Sequence, residues 1–231
     1  VVVVDSVGGV EFQTEKTWEY AAEIGLPRMI YVSKMDRERA DFQKVLDSIS
    51  ERLGAKATPL CLPLGSEDNF RGLVDLIEMK ALVFDEAKGK FKREDIPADL
   101  IDEATSRREA MVEDIAESDE TLMDKYLEEG VLSVDELKSG LRSAVIAGEI
   151  TPATCGCALK NLGPAALMSM LVDYFPSPVD RGPVKGSNPQ TGEEASREPL
   201  EDAPFSAMVF KTIADPYAGK LTVFRVFSGT M

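Results

Sequence analysis

Lys34 and Asp36 stand two apart in the run Ser33-Lys34-Met35-Asp36, just past the strand that the apolar stretch Arg28–Val32 predicts. In open α/β sheets, the carboxyl edge of the strands is where ligands bind. A carboxylate placed there can accept two parallel hydrogen bonds. Guanine offers a matching pair, a ring N–H beside an exocyclic amine, and adenine does not. A lysine two residues before the carboxylate can lay its methylene stem along a base plane. Surface turns contain Lys-x-Asp constantly, so it is the position at a strand end that gives the pair a chemical meaning.

A second cluster is Cys155-Gly156-Cys157-Ala158-Leu159-Lys160-Asn161, at the end of a later predicted strand, Ile150–Cys155. The small residues 156–158 let backbone N–H groups approach a ligand edge closely. A metal site built on Cys-x-Cys needs two more ligands, and the chain offers only Cys61 and no histidine. No metal is expected here, and nothing beyond the spacing points to redox chemistry. The absence of histidine also excludes an imidazole general base.

The elements that must position these residues follow from apolar periodicity. Val1–Asp5 is a short β-branched run, expected as a parallel strand buried on both faces. Glu11–Ile24 reads as a helix with Trp18, Ala21, Ala22 and Ile24 on one face, stopped by Gly25 and Pro27. Phe42, Val45, Leu46, Ile49 and Leu53 define the next helix, which Gly54 ends. Strand, helix, strand, helix predicts βαβ units and a doubly wound α/β sheet. From Thr58 the pattern changes to strands over Thr58–Leu64 and Leu73–Phe84. Three helices follow, Ala98–Glu117, Glu120–Glu129 and Ser133–Ala147, the last opened by a Ser133/Glu136 capping box. This stretch, 58–148, is expected as an α+β insertion. The sheet resumes at Ile150, and Pro164–Phe175 reads as a helix with Leu167, Met168, Leu171, Val172 and Phe175 inward. Pro176–Asp202 is polar and aperiodic, a connector. Phe205–Ile213 and Leu221–Phe227, joined by Asp215–Gly219, predict a β-hairpin that begins a separate all-β barrel.

Composition bounds the rest. Hydrophobic content of 44% and charged content of 29% are ordinary for a globular protein. The longest apolar runs fall far short of a membrane span, and Val1–Asp5 carries no basic start resembling a signal peptide. With three cysteines and no disulfide framework, the expected compartment is the cytoplasm. A net charge of −15 argues against a general nucleic-acid surface and against direct DNA binding. The acidity is uneven: Ala98–Glu129 holds twelve acidic and three basic residues. Such a run forms either a solvated helix face or a docking surface for a basic partner.

Taken in order, these residues resemble elongation factor G, a translational GTPase. The resemblance is carried by VVVVDSVGGVEFQTEK, PRMIYVSKMDRERADF, LGSEDNFRGLVDLIEMKALVF, VLSVDELKSGLRSAVIAGEITPATCGCALKN, LVDYFPSP and PFSAMVFKTIADPYAGKLTVFRVFSGTM, and it covers essentially the whole chain. It implies part of a P-loop GTPase sheet: residues 1–57 and 149–181 as the C-terminal half of the G domain, 58–148 as a G′-like insertion, 182–203 as a linker and 204–231 as the start of domain II. SKMD aligns with the family's Asn-Lys-x-Asp guanine motif and Cys157-Ala158 with its Ser-Ala motif. The implied guanine site is Ser33, Lys34, Asp36, Cys157, Ala158 and Leu159, with Asp36 reading the base, Lys34 stacked on it and the Ala158 N–H on the guanine carbonyl. The cofactor implied is GTP or GDP with magnesium, whose ligands lie outside this chain. The partner implied is the ribosome, including its basic stalk protein through the acidic insertion, with no membrane involved.

Two departures stand out. Ser33 is shorter than the family's Asn and has no amide to tie the base loop to the phosphate loop, and Cys157 replaces Ser with a weaker donor. No G-x-x-x-x-G-K-[ST] loop occurs in the sequence. The chain is therefore expected to be a piece of a longer GTPase, inactive by itself, with no catalytic residue of its own. The expected function of the whole is GTP hydrolysis coupled to translocation of tRNA and mRNA. The alternatives are a paralogue for ribosome recycling or protection, and a ribosome-binding module whose nucleotide function has decayed.

Overall fold

The computed structural model describes residues 1–188 and 190–231, which divide into two compact units, Val1–Phe175 and Pro176–Met231. In the first, β1 (Val2–Asp5) leads through α1 (Phe12–Glu23) to β2 (Ile30–Ser33), then through α2 (Phe42–Leu53) to β3 (Ala57–Pro59). The chain continues into an antiparallel sheet in the order β4 (Cys61–Leu64), β5 (Gly72–Asp75), β6 (Lys80–Asp85) and β7 (Lys90–Glu94). Three helices follow, α3 (Ile101–Glu117), α4 (Glu120–Glu129) and α5 (Val134–Ala147). The chain then returns as β8 (Thr151–Cys155) and α6 (Pro164–Tyr174). β8 inserts between β2 and β3, giving a parallel sheet in the order β1-β2-β8-β3. This is the mixed α/β architecture expected.

Local rules explain the best-read elements. α2 starts where the Asp41 side chain accepts from the Lys44 N–H at 3.0 Å, and it buries Phe42, Val45, Leu46 and Ile49. α5 carries the Ser133/Glu136 capping box and buries Leu137, Leu141, Ala144 and Val145. Two apolar clusters form the core, and the first contains the buried side chains of the parallel strands. One joins Val4, Ile30, Val32 and Ala153 to α2, and also takes in Leu73 and Leu82 of the antiparallel sheet and Phe70 just before β5. The other joins Met29, Leu60 and Val74 to α3, α5 and α6. The segment 58–148 thus shares both cores with the elements that flank it.

Several expectations need correction. β1 is an edge strand, and Val3 is 60% exposed instead of buried on both faces. α1 buries only Trp18, capped by the Arg28 guanidinium at 4.1 Å, while Ile24 and Ala22 face outward. In α6 the buried residues are Ala166, Met170 and Tyr174; Leu167, Leu171 and Phe175 are partly buried, and Met168 and Val172 are exposed. The strand read over 73–84 is two strands broken at Leu76–Met79, and β7 was not foreseen.

In the second unit, β9 (Val184–Ser187) and β10 (Glu194–Arg197) pair antiparallel inside the stretch read as a connector; Pro189 of that stretch lies outside the described residues. β11 (Ser206–Asp215) and β12 (Gly219–Ser228) form the expected hairpin. Its turn is set by the Asp215 carboxylate, which accepts from the N–H groups of Tyr217 at 2.8 Å and Ala218 at 2.7 Å.

Candidate functional site

The two sequence clusters meet because β2 and β8 are parallel neighbours, Val32 opposite Cys155, so their loops leave the same edge of the sheet. Past Ser33, Lys34 adopts a left-handed backbone, φ 63°, which a non-glycine residue takes up only under strain. The Ser6 hydroxyl donates to the Lys34 carbonyl at 2.8 Å and holds this turn. It sends Met35 into the core, 2% exposed, and brings Asp36 back to the surface. The Met35 N–H donates to the Gly156 carbonyl at 3.2 Å, and the Gly156 N–H to the Val32 carbonyl at 2.9 Å. The loops are therefore stitched together beneath the site.

Cys157 and Leu162 exchange two backbone hydrogen bonds, 2.7 and 2.9 Å, and close the four residues 158–161 into a tight loop. The Asp36 carboxylate faces that loop. The neighbouring Cys157 thiol, and then Lys160, whose Nζ lies 3.2 Å from Oδ2, hold its carboxyl below the usual carboxylate range. The thiol itself is pushed up by burial and by the carboxylate beside it.

Of the six expected residues, Asp36 and Cys157 touch. Ala158 lies exposed beside them, its N–H donating to no protein acceptor among the described residues. Ser33 contributes through its backbone, its carbonyl accepting from the Ser6 N–H at 3.0 Å. Lys34 turns its ammonium to Asp5 at 2.6 Å. The Leu159 side chain is 97% exposed and contacts nothing of the site. Two partners were missed, Asp5 and Lys160. Asp5 also accepts from the Val7 and Gly8 N–H groups, and with Lys34 these bonds lower its pKa to about 2. Lys160 lies 124 positions from Asp36, so only the β2–β8 pairing reveals it. Beneath the loop, Tyr31 is buried, with its hydroxyl against Gly156 and without a hydrogen-bond partner among the described residues. A Cβ at Gly156 would collide with that hydroxyl and lie 2.6 Å from the Leu162 carbonyl, which is why glycine stands there.

Residues of the antiparallel-sheet segment reach the two loops from both sides. Glu67 accepts from the Arg39 N–H at 2.8 Å, and the turn at Gly89 lies against the Asn161 side chain. No cluster of His, Cys, Asp and Glu among the described residues could hold a metal ion. What the arrangement offers is an oriented carboxylate, a lysine stem and an open N–H around one sheet edge, suited to reading the edge of a flat base.

The model of the elongation factor Tu GTP binding domain matches residues 1–177. Among solved structures, the chain is similar to a protein of Thermus thermophilus, with 28% identity and a TM-score of 0.78, over 98% of this chain. The chain spans 31% of that protein's length.

Proposed function

Because this chain belongs to the family of the elongation factor Tu GTP binding domain, we propose that it is the guanine-reading part of a translational GTPase of the elongation factor G type. The observation that carries the reading is the convergence of Asp36 and the Cys157–Ala158 loop at one sheet edge. Asp36 accepts the guanine ring N–H and amine, the Ala158 N–H donates to the base carbonyl, and the Lys34 stem covers the ring. Residues 58–148 are the insertion and 204–231 begin the β domain.

Phosphoryl transfer depends on magnesium and lysine electrostatics at the phosphates. Without a G-x-x-x-x-G-K-[ST] loop, this chain reads the base and does not turn over GTP. In the whole protein, hydrolysis drives a step on the ribosome, translocation being the reading the resemblance favours. The acids of α3 and α4 face a basic partner, the ribosomal stalk protein. All of them on α4 are exposed, whereas Asp114 on α3 is taken up internally by Lys56 and Thr58.

Carbon-detected NMR of the Asp36 carboxyl tests the base reading. Millimolar guanosine is expected to shift it together with the amides of 157–160, inosine to shift them less, and adenosine to leave them in place. Equal responses to all three would refute guanine recognition.

A further inference from the structure

The carboxylate assigned above to the base is already occupied. Lys160 Nζ lies 3.2 Å from Asp36 Oδ2, and its side chain is 39% exposed and free to swing. Its backbone is not free: the Cys157–Leu162 pair and the Asn161–Gly89 contact pin the loop on both sides. A second carboxylate, Asp68 on the insertion, also acts on the same ammonium.

Resting on the guanine reading, we propose that Lys160 is a counter-ion latch on Asp36, displaced toward Asp68 when a base enters. The latch sets affinity. Any base that uses the Asp36 carboxylate must first break the ion pair, so every such base binds more weakly by the same factor. The choice between bases stays with the two adjacent N–H donors that the carboxylate accepts. The latch also couples the site to the insertion, since the displaced ammonium lands on a residue of the segment Glu67–Asn69 that holds the Arg39 N–H.

The test uses the chain with Lys160→Met, which keeps the stem and loses the charge, Lys160→Arg, which restores it, and Asp68→Asn. Without any base, Lys160→Met should move the Asp36 titration midpoint upward, and Lys160→Arg should not. At low salt, Lys160→Met should bind guanosine about two- to fivefold more tightly, the range an exposed ion pair supports. It should gain by the same factor toward inosine, so that discrimination between the two is unchanged. Asp68→Asn should weaken guanosine binding about twofold, by removing the landing site. An Asp36 midpoint that stays put in Lys160→Met, or guanosine binding that weakens there, overturns the latch alone. An unmodified chain that answers guanosine and adenosine alike removes the guanine reading, and the latch with it.

Discussion

At the scale of single residues, the site is a set of charges and donors held by backbone geometry. Asp5 shows how much the sheet edge depends on this. Its carboxylate takes the Lys34 ammonium and two N–H groups, and its pKa falls to about 2. A carboxylate depressed in the folded state stabilises above its unfolded pKa and loses that contribution as pH falls through the folded one. Asp5→Asn should therefore cost about 1 kcal/mol at pH 7, held down by solvent screening, and should flatten the loss of stability between about pH 4 and 2. Urea unfolding across that range measures both. Tyr31 makes the opposite case. Its hydroxyl is buried without a partner among the described residues, so Tyr31→Phe should leave stability unchanged or raise it by up to about 1 kcal/mol. A clear loss in thermal unfolding would mean the hydroxyl is bonded after all. Asp36 was legible in the sequence from a lysine and a predicted strand end. Lys160 was not, because no local pattern announces a partner 124 residues away.

At the scale of elements, legibility followed amphipathicity. α2 carries one apolar stripe, and its buried Phe42, Val45, Leu46 and Ile49 and its end at Gly54 fall where periodicity puts them, as does the capping box of α5. α6 is apolar all round, Pro164-Ala-Ala-Leu-Met-Ser-Met-Leu-Val-Asp-Tyr174, so the sequence offers no stripe to choose; the packing of α5 picked Met170 and Tyr174. β7, Lys-Phe-Lys-Arg-Glu, and the β9–β10 hairpin are mostly exposed and become strands only by pairing with a neighbour. Leu141 lies on the buried face of α5 and is fully buried in the cluster that joins α3, α5 and α6. Leu141→Ala should cost about 2–5 kcal/mol of unfolding free energy. A cost under about 1 kcal/mol would mean that α5 is not part of the shared core.

At the scale of the whole molecule, both apolar clusters lie within Val1–Phe175, and residues 58–148 are built into them. A chain of residues 1–175 should accordingly fold alone, with a melting temperature within a few degrees of the 231-residue chain. Non-cooperative melting of the shorter chain would contradict this. The net charge of −15 is concentrated over α3 and α4, and the basic partner proposed above for that surface should be lost steeply as salt rises. Guanine recognition, however, rests on one carboxylate. Asn in place of Asp36 presents a donor where the carboxylate accepts, and so complements xanthine, which carries an oxygen where guanine has its amine. Titration of Asp36→Asn with guanosine and xanthosine is the most direct test. Guanine recognition by Asp36 predicts that the variant loses guanosine and gains xanthosine, about tenfold or more in ratio. An unchanged preference for guanosine in the variant would contradict it.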